Sequence, residues 1–291
     1  MSRLRSMSAP PQVWLPAAMA RCVQACLLVL LVWRVLPAAA APPHYTLEVV
    51  PQFPAVEITR VWDPVLTRLG ARTGATFTLK VAKDIPSFER DVMAGTPDFA
   101  YLNPYHQLQA HAAQGYIPLV RDRTLLTGIL VVRRDDAITR RADLQGRRVA
   151  FPAPNAFGAS LLIRAQLAEQ DHVHITPYYA KTHTNAYRHV VTGQTAAAGG
   201  VRATLAREPE AVQRHLRVLF ETDGAAPHPL SAHPRVPAAM RQQVADAMRE
   251  LAQEPALRTF FHDIPMPDPV PASQARDYDP LARLHLERYV Q

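Results

Sequence analysis

Strand and helix patterns alternate through the first 120 residues, and this alternation constrains the fold more than any other feature. Four segments are rich in β-branched, aromatic or alternating apolar residues, as strands are: Tyr45–Val50, Thr76–Ala82, Asp98–Leu102 and Tyr116–Val120. Helical patterns separate them, the first with apolar residues at Ile58, Val61, Val65 and Leu69. The order β-α-β-α-β-α-β predicts a parallel sheet covered by helices.

Two positions in this part predict helix starts. Asn103-Pro104 combines a capping residue with a first-turn proline, so a helix is expected from Tyr105 to Gln114. Asp63-Pro64 has the same form inside the first helix, which is therefore expected to kink or restart there.

A second set of strands follows Gly128–Arg133, a strand with no helix before it. We interpret this strand as a crossing between two lobes. Arg148–Phe151, His174–Tyr179, Ala196–Gly200 and Leu216–Glu221 follow as further strands. The turn-rich loop from Thr222 to Pro229 would carry the chain back. Helices are expected over Asn185–Val191, Pro237–Gln253, Leu257–Phe261 and Leu281–Tyr289.

The stretch Arg147–Arg164 holds a candidate anion site. Pro154 stops a strand, and Asn155 is a suitable N-cap for a helix that starts at Ala156. The first N–H groups of such a helix have no partner within it, and together with the helix dipole they attract anions. Ser160 adds a hydroxyl one turn further on. The alternative is an ordinary strand-to-helix turn.

The first 40 residues resemble a secretory signal peptide. Arg3, Arg5 and Arg21 precede the apolar run Cys22–Trp33, and Ala38–Ala41 offers a cleavage site. We expect cleavage after Ala40 and a periplasmic location. An uncleaved membrane anchor is the alternative, although the run is short for a membrane span.

Removal of this segment changes the composition. The expected product keeps 291 − 40 = 251 residues and no cysteine, because the two cysteines are Cys22 and Cys26. A disulfide, a cysteine metal site and a cysteine nucleophile are thereby excluded. Four arginines and no acids leave, so 32 − 4 = 28 basic residues face 25 acidic ones. With no dense basic cluster, a nucleic-acid partner is not expected.

Five blocks, in this order and spacing, resemble the phosphate/phosphite/phosphonate-binding proteins of ABC importers. They are Trp62–Leu66, Asp98–Tyr105, Asp143–Phe151, His183–Gly193 and Glu221–Pro229. The resemblance spans about residues 46–252. It implies an α/β, two-lobe type II periplasmic-binding-protein fold, in which each lobe is a mostly parallel sheet flanked by helices. Two hinge crossings would join lobe 1, residues 42–127 and 230–291, to lobe 2, residues 128–229.

The resemblance further implies a solute-binding component that delivers a small anion, a phosphonate or another organic anion, to an ABC permease in the inner membrane. The protein is expected to be a monomer, with no cofactor and no metal. The ligand would bind between the lobes, near three candidate helix starts. The expected ligand-binding residues are Phe53, Tyr101, Asn103, Tyr105, Asn155, Ala156, Phe157, Gly158, Ser160, His183, Thr184, Asn185 and His228.

Several of these residues have an equally simple structural interpretation. Tyr101 and Phe53 suit the core as well as the cleft, and Asn103 suits a plain helix cap. His183 matches a ligand-binding histidine of the family and would bind an anion more strongly when protonated. A surface loop histidine is the alternative.

Two departures from the family pattern concern the ligand. Many members carry a Ser-Thr-Ser type run where this chain has Ala156, Phe157 and Gly158, so three hydroxyl donors are missing. Aminophosphonate binders place a carboxylate near the position of His228. These differences argue against 2-aminoethylphosphonate, and they favour an organic anion or a phosphonate ester over inorganic phosphate.

Two other functions remain open from the sequence. One is a periplasmic sensor that partners a membrane histidine kinase or a chemoreceptor. The other is an enzyme, since related two-lobe folds include one. The chain contains no G-x-S-x-G, H-E-x-x-H or P-loop motif, and the expected export signal argues against a cytosolic enzyme.

Overall fold

Two sheets carry the fold of residues 41–290, the part of the chain that the computed structural model describes. The predicted signal segment lies outside the described residues. The first sheet has the order β11-β4-β10-β3-β1-β2. Its strands are β1 (His44–Val49), β2 (Thr76–Val81), β3 (Phe99–Tyr101), β4 (Ile117–Asp122), β10 (Leu230–Ala232) and β11 (Pro269–Pro271).

The second sheet has the order β7-β6-β8-β5-β9. Its strands are β5 (Ile129–Arg133), β6 (Arg148–Phe151), β7 (Thr176–Tyr179), β8 (Ala197–Gly200) and β9 (Leu216–Glu221). We call the parts built on the first and second sheets the first lobe and the second lobe.

Most strands of each sheet run in one direction, as predicted, although both sheets are mixed. In the first sheet β1 is parallel to β2 and β3, whereas β10 is antiparallel to β3 and β4. Only the returning strands β10 and β11 therefore oppose the others among the described strands. In the second sheet β5 opposes its neighbours β8 and β9. The expected α/β class is confirmed.

Helices cover both sheets. The first lobe has α1 (Ala55–Thr73), α2 (Ile85–Met93), α3 (Pro104–Gln114), α8 (Ala238–Leu251) and α9 (Arg258–Asp263). The second lobe has a helix over residues 157–170, which we call α4, then α5 (His183–Val191), α6 (Arg202–Ala206) and α7 (Glu210–Gln213). A 3-10 turn, Arg141–Leu144, precedes β6. None of the helices within residues 41–290 is long and apolar enough to cross a membrane.

Helix α1 continues through Pro64, so the predicted restart at this residue is wrong, while a kink there stays a prediction. Proline removes one hydrogen bond of the helix. Val61 and Trp62 on one side of Pro64 and Val65 and Leu69 on the other are all buried in the same core. Burial of this single apolar stripe offsets the lost hydrogen bond.

Helix α4 opens as a π-helix over Phe157–Leu161, continues as an α-helix over Leu162–Ala165 and ends as a π-helix over Gln166–Gln170. Its first turn lies directly on two glycines of the second lobe. A Cβ atom on Gly128 would lie 2.1 Å from the Gly158 carbonyl oxygen, and one on Gly199 would lie 2.1 Å from the Ala159 carbonyl oxygen. The close approach of helix to sheet therefore requires glycine at both positions.

Two antiparallel segments connect the lobes. Leu126 and Ala225 exchange both backbone hydrogen bonds, with N···O distances of 2.8 and 3.0 Å. Next to this pair, the Thr222 amide donates to the Gly128 carbonyl, and the Gly128 amide donates to Thr222 Oγ1, each at 2.9 Å. The predicted lobe boundary at 127/128 falls within the first of these segments, and the one at 229/230 lies four residues beyond the second. Both boundaries stay a prediction.

The last described residues form short turns where the sequence predicted a helix over Leu281–Tyr289. A π-turn, Gln274–Tyr278, and the 3-10 turns Asp279–Leu284 and Leu286–Tyr289 follow one another. We call residues 274–289 the C-terminal strap, because it contacts both lobes and the crossing between them.

Hydrogen bonds fix the strap along its length. Gln107 of the first lobe donates to Gln274 at 2.8 Å, and the Tyr278 hydroxyl donates to the Pro227 carbonyl at 2.9 Å. At the far end the Tyr289 hydroxyl donates to Glu169 of the second lobe at 2.7 Å. The strap is therefore a third connection between the lobes.

We expect Gly128→Ala to destabilise the protein by about 2–3 kcal/mol, because the new methyl group overlaps the backbone of α4. Gly158→Ala is the matched control, since its Cβ atom would meet only side chains, at 3.2–3.5 Å. Urea unfolding measures both variants. Equal stability of the two variants would contradict the packing described here.

Candidate ligand-binding site

The carboxyl ends of the parallel strands place the predicted residues at one edge of each sheet, as ligand sites in α/β sheets require. In the first lobe, β3 leads into Asn103, which caps α3 by accepting from the His106 amide at 2.7 Å. In the second lobe, β6 leads to Asn155, and β7 leads to the start of α5. The predicted cap at Asn103 is confirmed.

The two edges touch at Asn155. Its side-chain amide lies 3.3 Å from Glu89 Oε1 of α2, and its carbonyl oxygen lies 3.5 Å from the Asn103 side-chain nitrogen. Glu89 Oε1 also lies 2.9 Å from Nε2 of His106, which is fully buried. Residues from both lobes thus meet beside the starts of α3 and α4.

The predicted cap at Asn155 is wrong. Helix α4 begins at Phe157, and Ala156 occupies the cap position, where its side chain can make no hydrogen bond. The Asn155 amide is directed at Glu89 instead, and the Ala156 carbonyl accepts from the amides of Ser160 and Leu161 at 2.8 and 3.2 Å. The first N–H groups of α4 are consequently not capped by a side chain, as an anion site requires.

Phe157, Tyr105 and Ser160 are buried. Phe157 is 2% exposed and packs with Tyr105, Tyr278 and Leu286 in an apolar cluster that also includes Ala225 of the crossing. The Ser160 hydroxyl is fully buried and makes no hydrogen bond within the described residues. Gly158 lies against Val201 and Leu126. Contact of these four residues with a ligand stays a prediction.

His183 is the first residue of α5, so the predicted helix start at Asn185 is two residues late. Thr182 caps the helix by accepting from the Asn185 amide at 3.1 Å. Burial lowers the pKa of His183 to about 4, so the ring is neutral at neutral pH. Its Nδ1 atom lies 3.2 Å from Thr204 Oγ1. The stronger anion binding of a protonated His183 is therefore not available at neutral pH, and its contact with a ligand stays a prediction.

Thr184 and Asn185 are occupied by contacts within the second lobe. The Thr184 hydroxyl donates to Glu208 Oε1 at 2.6 Å, and the Asn185 side chain donates to the Ala180 carbonyl at 3.0 Å. Glu208 is 7% exposed, and its second oxygen has no partner among the described residues. A carboxylate thus lies beside the first turn of α5, where the helix dipole favours negative charge.

His228 belongs to the first-lobe side of the site. Its ring stacks on Tyr101 with centroids 5.6 Å apart, and its Nε2 atom lies 2.7 Å from the Gln52 side-chain nitrogen. Burial, and less strongly the nearby His106, lower the pKa of His228 to about 3. An unprotonated ring nitrogen can accept the Gln52 amide hydrogen, which agrees with the neutral state.

Tyr101 and Phe53 flank a small cavity in the first lobe. The Tyr101 hydroxyl donates to the Ile264 carbonyl at 2.7 Å, and burial raises its pKa well above the usual range. Phe53 is 37% exposed and lines the cavity, about 30 Å³ in volume, together with Trp62 and Pro265. Phe53 is therefore more exposed than a core residue, whereas Tyr101 is a core residue at the edge of the site.

A larger cavity, about 450 Å³, lies at the opposite edge of the second sheet. Arg148 and Ala196, at the starts of β6 and β8, line it with Gly193, which follows the end of α5. It contains no residue of the predicted site. Residues 41–290 contain no group of three or more His, Cys, Asp or Glu side chains arranged to hold a metal ion.

Sequence reasoning missed two acidic residues at the site. Glu89 and Glu208 lie beside the starts of α4 and α5. A third, Glu221, pairs with Arg202 and accepts from Thr127 at 2.5 Å. Nothing in the order of residues indicates that Glu89, within a helix, faces the other lobe.

We expect the two partly buried histidines, His183 and His228, to make stability depend on pH. An unfolded histidine titrates near pH 6.5, so the unfolded chain binds protons between pH 6.5 and about 4 while folded His183 and His228 do not. Their contribution to stability is therefore lost as the pH falls through this window. Glu48 acts in the opposite direction, because burial raises its pKa to about 7.

The difference between the wild type and a His183→Asn/His228→Gln variant isolates the histidines from Glu48. Urea unfolding at intervals from pH 7 to 4.5 should show a steeper loss of stability in the wild type. Parallel curves for the two proteins would contradict the neutral, buried state of these rings.

Residues 47–278 match the family model described as ABC transporter, phosphonate, periplasmic substrate-binding protein. No curated protein sequence matches the chain.

Solved structures of low sequence identity share the fold. A binding-protein component of an ABC phosphonate transporter from Pseudomonas aeruginosa is 13% identical, with a TM-score of 0.69 over 85% of this chain and 88% of that one. PhnD1 from Prochlorococcus marinus, in complex with methylphosphonate, is 10% identical, with a TM-score of 0.72 over 86% and 100%. A protein from Xanthomonas citri bound to ATP is 14% identical, with a TM-score of 0.73 over 85% and 99%.

These likenesses confirm the two-lobe periplasmic-binding-protein fold. The family match covers most of the chain and agrees with the order of blocks in the sequence. The chain belongs to the periplasmic substrate-binding proteins of ABC phosphonate transporters.

Proposed function

We propose that this protein binds a small organic anion between its lobes, a phosphonate or a related compound, and delivers it to an ABC permease. The observation that carries the proposal is the uncapped start of α4 at the interlobe edge. Its N–H groups offer hydrogen bonds to an oxyanion without the need for a positively charged side chain. We infer a binding role without catalysis.

The side chains named at the site provide no free positive charge for an anionic ligand. His183 and His228 are neutral, and Arg202 is paired with Glu221. An anion would therefore rely on N–H groups and hydroxyls rather than on a full positive charge. Two structural neighbours are described in complex with methylphosphonate and with ATP, and both of those ligands carry phosphorus oxyanions.

Phe157 offers no support for a ligand with a flat apolar portion, because it is buried beneath the crossing. The proposal therefore keeps the wider class of phosphonates and other organic anions. The remaining predicted ligand residues are part of it: Phe53, Tyr101, Asn103, Tyr105, Asn155, Ala156, Gly158, Ser160, Thr184, Asn185 and His228.

A calorimetric panel tests the ligand class. It contains phosphate, phosphite, methylphosphonate, 2-aminoethylphosphonate, ATP, sulfonates and carboxylates. We expect saturable binding of at least one organic phosphorus anion, tighter than that of inorganic phosphate. Absence of binding by every anion in the panel would refute the proposal.

His183→Ala tests the second lobe. Loss of one neutral hydrogen bond should raise the Kd of the bound anion roughly three- to tenfold. His189→Ala is the matched control, since His189 lies in the last turn of the same helix and packs on Tyr178. An unchanged Kd in His183→Ala would remove His183 from the site.

The proposal also covers export of the protein and the division of the chain into lobes. We propose that the first 40 residues are cleaved, that the protein acts as a monomer in the periplasm, and that the lobes divide near residues 127/128 and 229/230. Mass spectrometry of periplasmic protein should then give an N-terminus near Ala41. A full-length product retained in the membrane would contradict cleavage.

A further inference from the structure

We propose that Glu89 and Asn155 form a latch that holds the two lobes together in the absence of ligand. The inference assumes the interlobe cleft of the proposed function, but it concerns the protein's own contacts. Asn155 is thereby a positioning residue, because it acts on the ligand site through the start of α4.

The geometry gives the latch two contacts. The Asn155 amide nitrogen lies 3.3 Å from Glu89 Oε1, and the Asn155 carbonyl oxygen lies 3.5 Å from the Asn103 side-chain nitrogen. Glu89 and Asn103 stand on α2 and at the start of α3 in the first lobe, whereas Asn155 follows β6 in the second. Both contacts are lost if the lobes separate.

The first-lobe half of the latch is fixed in place. His106 lies 2.9 Å from the same Oε1 atom, is fully buried, and packs on Phe88 with ring centroids 5.5 Å apart. A carboxylate held on one side by a buried ring has few alternative positions. Its oxygen is therefore available to Asn155 at little entropic cost.

The carboxylate keeps its charge in this position. The hydrogen bond with His106 is the main cause of a lowered pKa for Glu89, and Asn155 contributes in the same direction. Within residues 41–290 no lysine or arginine pairs with Glu89. The Asn155 amide is thus a donor to an anionic acceptor, and such hydrogen bonds are stronger than neutral ones.

The latch connects closure to the ligand site through one peptide unit. Asn155 immediately precedes Ala156, whose carbonyl accepts the first hydrogen bonds of α4. When Asn155 is held, the first turn of α4 is held against the first lobe. The apparent Kd equals the intrinsic Kd divided by the fraction of the protein in the closed, binding-competent state. A latch that raises this fraction therefore lowers the apparent Kd.

The Glu89 carboxylate could also weaken anion binding, because a negative charge near a helix start repels an incoming anion. The two effects predict opposite changes in anion affinity when the carboxylate is removed. Loss of a latch opens the ligand-free protein and weakens anion binding, whereas loss of a repulsive charge leaves the lobes in place and tightens binding.

The ligand-free distance between the lobes is the primary measurement. Spin labels on Arg68→Cys in α1 and Arg188→Cys in α5 report it, since both positions are exposed and lie in different lobes. Cys22→Ser and Cys26→Ser remove every other thiol of the chain. Electron–electron resonance then gives the distance distribution without any choice of ligand.

Asn155→Asp places two carboxylates opposite each other and should shift the distribution to longer distances. Adding Glu89→Gln to that variant restores an amide–carboxylate pair with the roles exchanged, and should return the distribution most of the way. Asp91→Asn is the matched control, because Asp91 lies on the same helix and faces Lys80 at 3.7 Å. It should leave the distances unchanged.

An unchanged distribution in Asn155→Asp would overturn the latch, and so would equal opening with and without Glu89→Gln. Glu89→Gln alone, which changes a single atom type, guards against a folding defect in Asn155→Asp. Titration with methylphosphonate adds a second readout, in which a roughly fivefold higher Kd is expected for Glu89→Gln. A lower Kd would instead indicate repulsion.

The two proposals fail separately. If methylphosphonate and every other panel anion fail to bind, the proposed function falls, while the distance measurements still decide whether the latch exists. If an anion binds but the lobes do not respond to Asn155→Asp, the latch falls and the ligand class stands.

Discussion

The packing of helix α4 on Gly128, just before β5, and on Gly199 of β8 is the contact on which the arrangement of the candidate site depends. Carbonyl oxygens of Gly158 and Ala159 occupy the space that side chains at positions 128 and 199 would fill. Backbone packed on backbone leaves the first turn of α4 few ways to shift. Gly128 also bonds Thr222 across the hinge, so the crossing, the sheet and the helix start form one rigid piece.

That rigidity would allow a site with little positive charge to select an anion, as the proposed function requires. Carboxylates of Glu89 and Glu208 lie beside the starts of α4 and α5, and the two histidines of the site are neutral. Fixed N–H dipoles do not have to reorganise when an oxyanion arrives. A site of this kind discriminates by geometry, and its affinity depends less on salt than that of a cluster of exposed lysines.

The fold was predictable from the sequence because local signals agreed with the global pattern. Periodicity identified the strands and most helices, and Asn103-Pro104 marked α3 correctly because cap and proline act within one turn. Pro64 misled, since burial of a long apolar stripe outweighed one lost hydrogen bond. The N-cap predicted at Asn155 failed because its side-chain amide donates to Glu89, which lies 66 residues away in sequence. The pKa values of His183 and His228 depend on how far the surrounding chain covers each ring, and no local pattern encodes that cover.

The first sheet closes only with strands that come after the second lobe in the chain. Strand β4 pairs with β10 and β11, so its partners lie more than 100 residues downstream, whereas the second sheet is built from the continuous run between Ile129 and Glu221. Contacts of high sequence separation form slowly, because a long loop must close before they stabilise the chain. The second lobe can therefore complete its sheet first. The first sheet and the C-terminal strap, in contrast, are completed only by segments that follow the second lobe in the chain.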